Sequence, residues 1–246
     1  MVMVVCSNRM LWPLHLPAVS SAATETASPS SSSSSLFKSI SRKPGFHRLR
    51  SQPLVIETSL AESSKEDSTL PSRRLILLRH AKSSWADRSL RDHDRPLNKA
   101  GEADAIQVTY KLQQLGWIPE LILSSDATRT RQTLKIMQDN VEAFMEAEIH
   151  FISSFYSVAA MDGQTTDHLQ QAICKYARDD ILTVMCMGHN RGWEEAASTL
   201  SGASIQLKTC NAALLQAAGK TWEEAFLLAG RGGWKLQQLV KPNGSS

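Results

Sequence analysis

The sequence of 246 residues has no apolar run long enough to form a membrane-spanning helix, and it contains only four cysteines. A spanning helix needs about 20 consecutive apolar residues, and the apolar start of the chain is limited to residues 1–6. The cysteines show neither a CxxC pair nor an even-numbered framework: Cys6, Cys174, Cys186 and Cys210. We therefore expect reduced, mostly buried thiols rather than disulfides or a metal site, and no membrane partner.

The net positive charge of the chain is confined to the first 56 residues. The whole chain has a formal net charge of +3, but residues 1–56 alone contain six basic residues and one acidic residue. The remainder is therefore slightly acidic, with a net charge of −2. A nucleic-acid-binding domain usually presents a basic surface, so the charge distribution argues against a nucleic-acid partner.

Serine, alanine and threonine dominate residues 19–41, which include an unbroken run of six serines. Acidic residues are nearly absent and no hydrophobic periodicity is visible, so this segment is not expected to fold. Such a basic, serine-rich start is typical of a transit peptide. We predict a disordered chloroplast transit peptide over residues 1–56, bound by the plastid import machinery, and a flexible linker over residues 57–72. A mitochondrial address and a disordered regulatory tail are the alternatives.

Short apolar runs alternate with amphipathic stretches over residues 73–242. Four runs predict strands: 75–78, 121–123, 149–152 and 181–187. The amphipathic stretches predict four helices: 99–115, 128–138, 166–177 and 193–200. Asn98 is expected to cap the first helix and Gly116 to end it. Three later runs predict antiparallel strands: 212–217, 225–229 and 234–240. The pattern predicts one α/β domain, a three-layer α/β/α sandwich with a mainly parallel sheet, and we expect a monomer.

Polar residues stand where three of the predicted strands end. Arg79-His80 follows the first strand, residues 124–126 follow the second, and residues 188–190 follow the fourth. Ligands of such sheets bind at the carboxyl ends of the strands. Two imidazoles and two guanidinium groups without an acid-rich metal cluster indicate a phosphate bound by charge and attacked by an imidazole nitrogen: His80, His189, Arg79 and Arg129. No metal and no other cofactor is expected.

Four segments resemble, in order, the motifs of the histidine phosphatase (phosphoglycerate mutase-like) superfamily, and the first resembles its SixA-like branch in particular. They are LRHAKSSW at 78–85, DRPLNKAG at 94–101, the stretch 125–133, and GHN at 188–190. The resemblance implies that His80 is the nucleophile and that Arg79 and Arg129 bind the phosphoryl oxygens. It also implies that His189 contacts the phosphoryl group and stabilises its transition state. Ser83 and Asn190 are further expected contacts. Arg191 stands where the branch often has proline.

A proton donor is not evident in the sequence. Many phosphomonoesterases of the superfamily place a carboxylate after the third strand, where this chain has Ser153 and Ser154. Asp87 and Asp94, on the loop after the first strand, are weak candidates for the general acid. An alkoxide leaving group needs a proton, whereas phosphohistidine can leave as neutral imidazole. The missing acid therefore favours a phosphohistidine-bearing protein as the substrate.

Three functions stay open at this point. The first is a metal-independent phosphatase that forms a phosphohistidine intermediate and acts on a phosphorylated protein or a small phosphorylated compound. The second is a phosphoglycerate mutase-type phosphotransferase, disfavoured by the missing acid and the short domain. The third is a non-catalytic phosphate-binding module, disfavoured because binding alone does not require His80.

Overall fold

A mixed six-stranded sheet forms the centre of the molecule, in the order β3-β2-β4-β1-β5-β6. The computed structural model describes residues 70–243, so the predicted transit peptide and residues 57–69 of the predicted linker lie outside the described residues. The strands are β1 (Ser72–Arg79), β2 (Leu121–Ser124), β3 (Glu148–Phe151), β4 (Thr183–Gly188), β5 (Ala212–Ala218) and β6 (Lys235–Val240). β1 to β4 pair in parallel, whereas β5 pairs antiparallel with β1 and β6 with β5.

Helices cover both faces of this sheet, which confirms the predicted three-layer architecture. They are α1 (Lys99–Gln114), α2 (Thr128–Asn140), α3 (Ser154–Val158), α4 (Thr165–Tyr176), α5 (Gly192–Ser201) and α6 (Trp222–Ala229), with 3-10 turns at Asp92–Asp94 and Glu142–Phe144. Alternate residues of β1 point to opposite layers: Leu75 and Leu77 pack in the core with α3 to α6. Ile76 and Leu78 pack in the core with α1 and α2. Within residues 70–243, no helix has the length and apolar character needed to cross a bilayer.

The strand predicted at residues 225–229 was wrong, because these residues belong to α6. Thr221 caps the helix, since its side chain accepts a hydrogen bond from the Glu224 backbone N–H at 3.0 Å. The buried residues Trp222, Ala225 and Phe226 follow helical spacing and face the sheet. A Thr-x-x-Glu capping signal at 221–224 therefore outweighs the short apolar run that follows it.

The start of α1 fixes the loop that follows β1. Asn98 caps the helix by accepting from the Gly101 backbone N–H at 2.7 Å, as its sequence position predicted. Gly101 itself lies so close to the loop that a Cβ there would stand 2.3 Å from the carbonyl oxygen of Lys82. This backbone contact holds the residues that follow His80 against the first turn of α1.

Candidate active site

His80 directly follows β1 and is buried, with 6% of its surface exposed. Its Nδ1 lies 2.7 Å from the carbonyl oxygen of Ala81. Because a carbonyl oxygen can only accept, Nδ1 carries the ring proton and Nε2 presents its lone pair. The Nε–H of Arg129 donates to this Nε2 at 3.1 Å. The backbone around the ring is held as well, since Thr133 on α2 accepts from the Ala81 N–H at 3.1 Å.

His189 directly follows β4, and its ring centroid lies 5.1 Å from that of His80. Arg129 donates from Nη2 to Nδ1 of His189 at 3.2 Å, so the proton of this ring sits on Nε2. That nitrogen donates to Oγ of Ser125 at 2.8 Å. The preceding Gly188 is needed here, because a Cβ would stand 2.3 Å from the indole of Trp193. The close approach of α5 to the end of β4 thereby sets the position of His189.

Two guanidinium groups line the cavity beside the histidines and come from different elements. Arg129, in the first turn of α2, is buried and contacts both rings. Arg79, the last residue of β1, donates from Nη1 to the carbonyl oxygen of Leu207 at 2.8 Å. Its Nε is buried without a hydrogen-bond partner in the described part of the chain. Arg79 therefore has an N–H donor left for a ligand oxygen, which suits a bound phosphoryl group.

Burial dominates the protonation of both histidines. Removal from water lowers the pKa of His80 to about 3, and the positive charges of Arg129 and Arg79 add to this effect against the hydrogen bond to Ala81. Burial likewise lowers the pKa of His189 to about 2, with further contributions from His80 and Arg129. Both rings are therefore neutral near pH 7, which is the nucleophilic form of an imidazole.

A cavity of about 720 Å³ opens over these groups. It brings together all six residues that the motifs predicted as phosphoryl contacts: Arg79, His80, Ser83, Arg129, His189 and Asn190. The two weak acid candidates do not line it. Asp87 accepts from Ser89, and Asp94 pairs with Arg91 at 2.7 Å. Across residues 70–243, no three metal-ligating side chains come together.

Asp92 and Tyr156 are the site residues that the sequence did not reveal. Of the acidic residues in the described part of the chain, only Asp92 lines the cavity. Its Oδ2 accepts from Nη2 of Arg129 at 2.9 Å and from the hydroxyl of Tyr156 at 2.9 Å. The tyrosine lies on α3, with its ring edge-on to His189 at 5.1 Å. In the sequence, the only indication of a carboxylate at the site is the pair of aspartates within residues 92–94, and it does not show which of them faces the cavity.

Arg191 stands at the mouth of the cavity in a strained backbone conformation. Its φ of 58° and ψ of −63°, with a hydrogen bond from the Gly192 N–H to the Asn190 carbonyl at 2.9 Å, describe a classic γ-turn, which is rare and strained. The next residue explains why the strain persists. A Cβ at Gly192 would stand 2.7 Å from Cα of Ala159, so the close packing of α5 dictates the path of the chain.

Replacing Arg191 with glycine is expected to raise the free energy of unfolding by roughly 1 kcal/mol. Glycine adopts positive φ without a steric penalty, and this gain exceeds its larger entropy loss on folding. Urea unfolding of the purified domain measures the change. The matched control is Arg191→Ala, which removes the same charge but keeps the strain. Equal stability of the two variants would show that the turn stores no strain.

Comparisons with known proteins relate the chain to one family. Residues 75–180 match the model of the histidine phosphatase superfamily, branch 1. An uncharacterized chloroplastic protein of Arabidopsis thaliana is 68% identical over 187 residues, which cover 76% of this chain and 86% of that protein. The location of this relative supports the chloroplast prediction over the mitochondrial alternative, and we assign this chain to the chloroplast.

Two solved structures share the fold over nearly their whole length. The putative phosphohistidine phosphatase SixA of Agrobacterium tumefaciens is 26% identical with a TM-score of 0.53, covering 69% of this chain and 98% of that one. The putative phosphohistidine phosphatase SixA of Nakamurella multipartitia is 23% identical with a TM-score of 0.57, covering 71% and 99%. The chain therefore belongs to the histidine phosphatase superfamily, as a SixA-like phosphatase of the chloroplast.

Proposed function

We propose that this phosphatase works through a phosphohistidine intermediate formed at Nε2 of His80. The observation that carries the proposal is the state of that ring: Nδ1 holds its proton against the Ala81 carbonyl at 2.7 Å, which places the lone pair on Nε2. This lone pair accepts from Nε of Arg129 at 3.1 Å, and the attack requires Arg129 to exchange that contact for one to the phosphoryl oxygens. The ring is neutral at physiological pH because burial lowers its pKa to about 3. A neutral imidazole held in one tautomer is a competent nucleophile.

In the first step, Nε2 of His80 attacks the phosphorus atom. The P–N bond forms while the bond to the leaving group breaks and the leaving group keeps its electron pair. Negative charge spreads over three equatorial oxygens, and Arg79 and Arg129 stabilise it. His189 would contact the same oxygens only after its Nε2–H exchanges the hydrogen bond to Ser125 for one to the phosphoryl group. The Ala81 carbonyl stabilises the positive charge that the His80 ring acquires.

In the second step, water attacks the phosphorus atom and the P–N bond breaks. Inorganic phosphate leaves, and the electron pair returns to Nε2 of His80. Water is the acceptor, and this separates a phosphatase from a phosphoglycerate mutase-type transferase, which passes the group to a second substrate. A non-catalytic phosphate-binding module would stop before the first step.

For the substrate, we propose phosphohistidine on a protein, with a small phosphate ester as the second candidate. Asp92 is held ionised by Arg129 and Tyr156, so the described cavity presents no protonated carboxyl group to an alkoxide. Phosphohistidine does not need one, because its leaving ring carries its own proton. The names of the two SixA structures point to the same substrate.

Trapping the phosphorylated enzyme tests the proposed mechanism. The protein is mixed with labelled phosphohistidine peptide and quenched within milliseconds. We expect acid-labile, base-stable label on the protein that decays to inorganic phosphate. Transfer of the label to 3-phosphoglycerate would support the mutase instead, and wild-type protein that never becomes labelled and releases no phosphate would overturn the mechanism. Efficient hydrolysis of sugar phosphates with no hydrolysis of phosphohistidine would overturn the substrate.

We also propose that residues 1–56 are the transit peptide that delivers the phosphatase domain, residues 73–242, to the chloroplast. Their basic, serine-rich and acid-poor composition supports this. N-terminal sequencing of the mature protein from chloroplasts tests the boundary.

A further inference from the structure

The cavity places one carboxylate among many cations. Arg79, Arg129, Lys82 and Arg191 all line it, and Asp92 is the only acidic residue of the described chain that does so. A carboxylate beside a phosphoryl dianion is unfavourable, since the two negative charges repel each other. Its presence therefore needs a compensating role in the site.

One role is evident from the contacts of Oδ2. This oxygen accepts from Nη2 of Arg129 and from the Tyr156 hydroxyl, each at 2.9 Å. Arg129 also donates from Nη1 to the backbone carbonyl of Asp92. These contacts fix the Arg129 guanidinium beside the two histidines. None of these contacts involves the second carboxylate oxygen, Oδ1.

The second oxygen, Oδ1, has no hydrogen bond within residues 70–243. Its nearest cation is Nε of Arg95, which lies 3.8 Å away, beyond hydrogen-bond distance. Arg95 donates from Nη1 to the Asp87 carbonyl at 3.1 Å and stacks on Trp85 at 4.0 Å, while its Nε has no hydrogen-bond partner in the described part of the chain. Half of the Asp92 side chain is exposed, at 52%. Oδ1 is thus an anionic acceptor that a ligand in the cavity can reach.

The backbone that carries Asp92 is anchored, so this acceptor is held in place. His93 contacts Asp126 through Nε2 at 3.0 Å and Asp94 through Nδ1 at 3.2 Å. The first of these contacts ties the 3-10 turn Asp92–Asp94 to the loop after β2. Partial burial alone would raise the pKa of Asp92, but the Tyr156 hydroxyl and the charge of Arg129 outweigh it, and the pKa lies below its ordinary value. The carboxylate is therefore ionised at physiological pH.

Resting on the proposed function, we infer that Asp92 selects substrates in which the ring bonded to phosphorus is cationic, by accepting a hydrogen bond at Oδ1 from the protonated ring of phosphohistidine. When His80 forms its bond to phosphorus, the P–N bond of the substrate breaks and its electron pair returns to the leaving ring. The ring becomes neutral while its distal N–H stays in place. No proton has to be transferred, and the charge-assisted hydrogen bond holds the leaving group throughout its departure.

The test compares leaving groups in the Asp92→Asn variant. We expect kcat/KM for phosphoimidazole and for a phosphohistidine peptide to fall about 10- to 100-fold, the range for loss of a charge-assisted hydrogen bond. For p-nitrophenyl phosphate, whose leaving group is an anion, kcat/KM should fall at least about tenfold less, because only a loss that acts through the position of Arg129 is shared by both kinds of substrate. The readout is the ratio of the two values, which a purely structural role would leave unchanged.

Matched controls separate the possible outcomes. Asp94→Asn alters the same turn outside the cavity and should leave the ratio unchanged. If Asp92→Asn lowers both values equally, Asp92 only positions Arg129, and the inference fails. An unchanged ratio with full activity overturns it as well. Failure of the wild-type enzyme to hydrolyse any of the three compounds would instead overturn the proposed function.

Discussion

Replacing His80 with alanine is expected to lower kcat/KM by at least about 10³-fold and to abolish acid-labile labelling of the protein. Nε2 of His80 is the atom that would bond to phosphorus. Its ring is oriented by the Ala81 carbonyl at Nδ1, whereas the ring of His189 is held by Ser125 at Nε2, and we expect His189 not to replace His80 as the nucleophile. Rapid-quench labelling and phosphate release measure the two effects.

Two further variants serve as controls that separate a loss of catalysis from a loss of folding. His80→Gln keeps a polar side chain beside Arg129, and it should remain folded and inactive. His150→Ala removes a histidine that pairs with Glu148 on β3 and does not line the cavity, so it should keep full activity. Thermal unfolding is followed for all three proteins. Label that survives in a folded His80→Ala protein would show that another residue carries the phosphoryl group.

Replacing Arg129 with lysine is expected to lower kcat/KM by about 10²- to 10³-fold, although the charge is kept. The guanidinium contacts His80, His189 and Asp92 at once through Nε and Nη2. An ammonium group has no planar fork and cannot span these partners. We expect weaker competitive inhibition by inorganic phosphate as well, because phosphoryl oxygens lose a forked donor.

Arg131→Lys is the matched control for this variant. Arg131 lies two residues further along α2, where it donates to the Asp126 carbonyl at 2.9 Å and stacks on Phe151 at 3.8 Å. It is exposed and does not line the cavity. Its replacement should leave turnover and phosphate inhibition unchanged. A similar loss in both variants would mean that the change acts through the stability of α2 rather than through the phosphoryl site.

Much of the fold could be predicted from the sequence, because it depends on neighbours along the chain. The run Leu75–Leu78 is buried on both faces in the structure, as an uninterrupted apolar strand should be. Asn98 caps α1 where expected. The edge of the sheet that collects His80, Arg129 and His189 also follows, since parallel strands present their carboxyl ends together.

Other features depend on contacts between distant parts of the chain, and only the tertiary structure decided them. Asp87, Asp92 and Asp94 share one loop and look equivalent in the sequence. Asp92 alone turns inward, because α1 holds the loop at Lys82 and His93 ties the turn to Asp126. The protonated nitrogen of each histidine was equally hidden, since it depends on the Ala81 carbonyl and on Arg129, 49 residues away from His80.

By itself, then, the sequence determined the layers of the domain, the composition of its leader, and the two histidines and two arginines of the candidate site. These rest on local periodicity, capping and strand order, which act over a few residues. The tertiary structure decided which carboxylate joins them and which ring nitrogen of each histidine carries the lone pair. Both depend on how a loop and a helix pack across the sheet, and such packing is set by contacts that no local pattern contains.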